Sequence, residues 1–85
     1  MMEEITGVVH EFILREFLRG KDPSELSGRT PLITGGILDS ITTLKMVTFL
    51  EDRFGIRVEA HEAGVDNLDS IDLIATLVAK KRNAA

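Results

Sequence analysis

The chain has 85 residues, 44% of them hydrophobic and 28% charged, with a net charge of −4. That supports one small domain with one core, and the negative balance disfavours nucleic acid, whose phosphates call for a basic patch. The absence of cysteine excludes disulfides, thiolate metal sites and a protein thiol nucleophile, and no stretch approaches the roughly 20 apolar residues of a membrane span.

In chain order, Ile5, Val8, Val9, Phe12, Ile13 and Phe17 recur at the i, i+3, i+4 spacing of an amphipathic helix over residues 3–19. Glu3 and Glu4 suit its positive start, and Arg15 and Arg19 its negative end, with Gly20 available as a left-handed cap. The same two acids stand where a signal peptide would carry positive charge, so residence in the cytoplasm is expected.

Residues 21–38 hold the turn formers Asp22-Pro23, Ser24, Ser27-Gly28, Pro31 and Thr34-Gly35-Gly36 and no periodic element. A loop of this length inside a small domain points to function. Leu26, Leu32, Ile33, Ile37 and Leu38 are too apolar for a free linker, so they are expected to pin the loop across the other helices.

A second helix is predicted from Ser40 to Phe54, stopped by Gly55, with Met46, Val47, Leu50 and Phe54 on its core face. Asp39 is the residue type that caps a helix start, its carboxylate accepting N–H groups that otherwise lack partners. Ser40 then occupies the first helical position, its hydroxyl facing solvent at the positive end of the helix dipole, where an anion is favoured. Ile41, Leu44 and Phe49 fall off the core stripe. Ile41 and Leu44 are therefore candidates for a partner-docking surface, unless the long loop covers them.

Ile56-Arg57-Val58 reads as a short extended link, and residues 61–67 as a short helix or single turn. A last helix is predicted from Asp69 or Ser70 to about Lys81, with Ile71, Ile74, Ala75 and Val78 inward and Lys80, Lys81 and Arg82 at its negative end. Leu38-Asp39-Ser40-Ile41 is echoed by Leu68-Asp69-Ser70-Ile71. In the second copy Asp69 as cap, Asp72 three residues on and a Leu68–Leu73 staple account for the motif by helix initiation alone. In the first copy Thr42 and Thr43 stand at the corresponding places, where neither device is expected. Ser40 is thus the serine with chemistry left to explain.

Three blocks carry a resemblance: Gly36-Ile37-Leu38-Asp39-Ser40-Ile41, then Leu50-Glu51-Asp52-Arg53-Phe54-Gly55-Ile56, then Asn67-Leu68-Asp69-Ser70-Ile71. In order and spacing they are similar to the acyl and peptidyl carrier proteins, over about residues 3–81. The resemblance implies an all-α four-helix bundle, three helices longer and the third short, with a long loop between helices 1 and 2. It implies 4′-phosphopantetheine, taken from coenzyme A by a separate phosphopantetheinyl transferase and joined to Ser40 as a phosphodiester, with Asp39 in the flanking motif. The protein itself would be a non-catalytic, monomeric carrier. Acyl-activating or acyl-transferring enzymes would be its partners, meeting Ile41, Leu44, Lys45, Glu51 and Asp52.

Carriers of fatty-acid synthesis usually line this helix with acids, whereas Thr42 and Lys45 stand here at two such places. Residues 39–62 hold five acids against three bases, net −2. This points to a specialised stand-alone carrier for a dedicated pathway, which the resemblance implies is fatty-acid, polyketide or related lipid synthesis. The alternatives are a peptidyl or aminoacyl carrier of a non-ribosomal type, and an adaptor bundle without prosthetic group that uses Ile41, Leu44 and Phe49 as an interface. A serine hydrolase is disfavoured: His10 and His61, both read as solvated, are the only histidines, and no Gly-x-Ser-x-Gly elbow is present.

Overall fold

A computed structural model describes residues 2–18, 20, 22 and 25–84 of the chain. Arg19, Pro23 and Ser24, invoked above, lie outside the described residues. Four α-helices form a bundle without strands among the described residues: α1 (Met2–Glu16), α2 (Ser40–Phe54), α3 (Val65–Leu68) and α4 (Ile71–Ala84). None of them is long and apolar enough to cross a membrane.

The apolar stripe of α1 does what its spacing dictates. Ile5, Val9, Phe12 and Ile13 are buried, and α1 packs along α4 more extensively than any other pair of helices meets. From α4, Ile71, Ile74, Ala75 and Val78 complete that seam, joined by Leu77. Met46 and Leu50 enter from α2, and Leu68 from α3. No polar or charged side chain among the described residues is buried, so the interior is packed by apolar side chains. Two helix ends differ from expectation. Helix α1 stops at Glu16, where the amides of Phe17 and Leu18 both reach the Ile13 carbonyl, so Gly20 lies beyond its end; α4 runs on to Ala84.

The long connection between α1 and α2 is pinned as its leucines require: Leu26, Leu32 and Leu38 are buried, and Ile33 and Ile37 partly so. Its polar backbone is tied to α1, to α4 and to the turn before α4. His10 Nε2 lies 2.9 Å from the Leu26 carbonyl oxygen. The Asp72 amide donates to the Gly28 carbonyl (3.0 Å), and the Leu32 amide to the Asp69 carbonyl (2.7 Å). His10 is thus a half-buried loop anchor rather than a solvated residue, whereas His61 is exposed.

The turn that leads into α2 needs its glycine pair. A Cβ on Gly35 would come within 2.2 Å of the Pro31 carbonyl oxygen, and Gly36 has φ +84°, a left-handed conformation that side chains oppose. The reversal lets the Leu38 amide donate to the Leu32 carbonyl at 2.7 Å and delivers Asp39 to the mouth of α2. After α2, capped at Gly55, the extended link buries Val58. A 3-10 turn (Ala60–Glu62) precedes α3, and the pair resolves the single short element expected there.

Candidate functional site

Asp39 is extended (φ −96°, ψ −170°), and its Oδ1 accepts the Thr42 amide at 2.8 Å. In return the Asp39 amide donates to Thr42 Oγ1 at 2.7 Å. This reciprocal pair is a capping box, so the expectation that the first copy of the motif lacks one is corrected. A threonine hydroxyl takes the part usually given to Glu or Gln. The Thr42 amide, and then its hydroxyl, hold the Asp39 carboxyl below its ordinary value by bonding its charged form.

With the cap supplied by its neighbours, Ser40 has no structural task. It opens α2 and is exposed. Beside it lies an open hollow of about 560 Å³, walled by Leu38, Thr43 and Leu44 on one side and by Ala63, Gly64 and Val65 on the other. Leu44 is 65% and Val65 47% exposed, so apolar surface flanks the hydroxyl. Sequence periodicity missed the second wall, because the turn before α3 is too short to show a pattern.

The second copy of the motif is built differently. Ser70, not Asp69, caps α4: its Oγ accepts the Leu73 amide at 3.1 Å. Asp69 is turned instead to the long loop, where Oδ1 accepts the Ile33 and Thr34 amides (2.8 and 2.9 Å) and Oδ2 the Thr34 hydroxyl (2.9 Å). The Thr34 amide is the main cause holding the Asp69 carboxyl below its ordinary value. Moving the cap by one residue also removes the predicted staple, and Leu73 is left 39% exposed. The echo therefore divides its labour: in one copy Asp caps and Ser is free, in the other Ser caps and Asp ties down the loop.

The remaining candidates lie along α2. Ile41 is 68% exposed, so like Leu44 it is not covered by the loop, and Lys45 is exposed beside them. Phe49 is half-buried and stacks on Phe12 of α1. Asp52 is exposed, whereas Glu51 is half-buried and its Oε2 accepts the Val58 amide at 3.0 Å, which fastens the extended link to α2. Of the seven candidate residues, Asp39, Ser40, Ile41, Leu44 and Lys45 share the first turns of one helix, while Glu51 has an internal bond to make.

A hydroxyl at the positive end of a 15-residue helix, with no side-chain partner among the described residues, fits attachment of a phosphodiester. No protein-family profile matches the chain. Comparison with curated proteins is more informative. Over 81 residues the chain is 40% identical to the D-alanyl carrier protein of Streptococcus sanguinis, an alignment spanning 95% of this chain and 99% of that protein. Over 53 residues it is 40% identical to the D-alanyl carrier proteins of Streptococcus gordonii and Streptococcus thermophilus, spanning 62% of this chain and 67% of each. An all-helical bundle, an Asp-Ser pair at the start of its second helix and near full-length similarity to a carrier agree: the chain belongs to the phosphopantetheine-binding acyl and peptidyl carrier proteins.

Proposed function

We propose that this carrier bears 4′-phosphopantetheine on Ser40 and delivers D-alanine, or a similar small aminoacyl group, between partner enzymes. The observation that carries the site is the exposed Ser40 hydroxyl at the mouth of α2, with Asp39 and Thr42 completing the cap between themselves. The cargo rests on the names of the relatives, which are D-alanyl carriers. They favour the aminoacyl alternative over fatty-acid or polyketide cargo.

Within this reading each residue has a definite task. Exposure lets Ser40 reach the active site of a phosphopantetheinyl transferase. The α2 dipole steadies the negative charge of the phosphodiester by about 0.3–1 kcal/mol. When bound, the arm supplies the thiol that this cysteine-free chain lacks, and with it the thioester on which cargo rides. The hollow beside Ser40, lined by Leu44 and Val65, offers apolar contact to whatever is tethered there. Ile41 and Leu44 supply the small apolar contact of a transient interface. Asp52 is the exposed acid left for steering partners, because Glu51 bonds Val58.

The test is intact mass after incubation with coenzyme A and a phosphopantetheinyl transferase. The wild-type chain is expected to gain one phosphopantetheine and Ser40→Ala none. A D-alanine-activating ligase with ATP is then expected to add one alanyl group to the modified chain. No gain in the first step refutes the attachment at Ser40. Modification followed by loading with a fatty acyl group, and not with D-alanine, refutes the cargo alone.

A further inference from the structure

The seam between α1 and α2 carries a charge pattern opposite in sign to the molecule as a whole. Its floor is Phe12 stacked on Phe49, with centroids 3.8 Å apart and planes 11° from parallel. Its lip is the exposed pair Ile41 and Leu44. An open depression of about 520 Å³ lies between them, and a smaller one of about 310 Å³ continues past Phe49 between Arg15 and Arg53.

Lys45, Arg15 and Arg53 are the cations of this cleft, and Glu11 and Glu16 its anions. Arg15 Nε stands 3.3 Å from Glu16 Oε2, so that pair is internally compensated. Lys45 has no ion pair among the described residues, and the Arg53 guanidinium lies 5.6 Å from the centre of the Phe54 ring rather than on an acid. Two uncompensated cations against Glu11 leave the rim positive on a chain of net charge −4. Asp52, the exposed acid of α2, precedes Arg53 in the chain but lines neither depression.

We infer that a protein partner seats an apolar side chain in this cleft and sets carboxylates against Lys45 and Arg53, so that the recognised surface is acidic. The inference rests on the carrier reading only for the partner being an enzyme; the binding itself does not depend on it. Charge complementarity selects the sign, since an acidic rim meets two unpaired cations and a basic one meets them in repulsion. An anionic bilayer is the poorer occupant. Membrane-binding segments gather about four to eight basic residues, and here three cations share the cleft with Glu11 and Glu16.

The test uses the full chain, isotope-labelled for NMR, and three probes: two amphipathic helical peptides identical except that one leucine is flanked by glutamates or by lysines, and phosphatidylglycerol vesicles. The glutamate peptide is expected to shift the amides of Ile41, Leu44, Lys45 and Phe49 and to bind roughly two- to tenfold more tightly than the lysine peptide. Lys45→Glu should abolish or invert that preference, and Asp52→Asn should preserve it. Equal or tighter binding of the lysine peptide, shifts confined to other surfaces, or no binding of either overturns the inference. Vesicles that reproduce the same shifts overturn it in favour of a membrane. None of these readouts requires modification of Ser40, which the mass measurement reports separately, so the two ideas fail independently.

Discussion

Two serines open two long helices in this chain, and what each contributes to stability differs. Ser70 Oγ accepts an amide that α4 would otherwise leave without a partner, so Ser70→Ala should cost about 1 kcal/mol, the usual value of a lost cap, and lower the melting temperature. The chain should still be modified. Ser40 makes no such bond, so Ser40→Ala should leave stability within about 0.5 kcal/mol of wild type and abolish modification. Thermal unfolding followed by intact mass checks both halves, and a destabilised Ser40→Ala would show that its hydroxyl is structural. The candidate serine was legible in the sequence because Asp39 precedes it and a glycine pair leads up to it. The work of its neighbours was not. That Asp69 turns away from its own helix depends on Ile33 and Thr34, more than thirty residues away, whose amides need an acceptor once the loop is folded. That Thr42 completes a capping box depends on a hydroxyl rotamer, which periodicity does not report.

Among the elements, the loop between α1 and α2 decides where the site stands, and its glycines differ in what they tolerate. A Cβ on Gly35 meets backbone, the Pro31 carbonyl oxygen at 2.2 Å, and the turn must open to admit it. Gly35→Ala should cost about 1–3 kcal/mol and displace the start of α2. At Gly28 the obstacle is the carboxylate of Asp72, 2.4 Å from the added carbon, which belongs to an exposed side chain able to swing away; Gly28→Ala should cost distinctly less. Parallel thermal melts decide it, and equal losses would refute the distinction. On α2, Ile41→Asp should change stability by no more than about 0.5 kcal/mol, since the side chain is 68% exposed, while slowing cargo transfer roughly tenfold if it is an interface anchor. A large loss of melting temperature would return Ile41 to the core. Helices α1, α2 and α4 were legible because each holds three or more turns of apolar repeat. The link with α3 was legible only as a turn, since a 3-10 turn and four helical residues are too short to repeat anything.

For the molecule as a whole, three carboxylates tie loops and helix ends together alongside the hydrophobic core, and they contribute to its response to acid. Asp39 closes the mouth of α2, and Asp69 holds the loop against the turn before α4. Glu62 ties the link between α2 and α3 to α4 through Lys81 Nζ, 2.5 Å away, and to itself through the Glu59 amide. All three are held below their ordinary values, Glu62 chiefly by its bond from Lys81. A carboxyl whose folded value is depressed releases its proton more readily in the folded state, so the unfolded chain binds more protons. Its contribution is therefore fully present above the ordinary carboxylate range near pH 4 and is lost as the pH falls below it, through the folded values. The melting temperature should change little from pH 7 to about 5 on account of these groups and fall below about 4. Asp69→Asn keeps an acceptor for the Ile33 and Thr34 amides but carries no charge. It should melt lower than wild type at neutral pH, and its acid limb should be shallower, because one proton-linked group is gone. If the two acid limbs run parallel, the Asp69 side-chain bonds to the loop are not made in solution, and the long connection must be held by Leu26, Leu32 and Leu38 with the bonds of Leu26, Gly28 and Leu32 to His10, Asp72 and the Asp69 carbonyl.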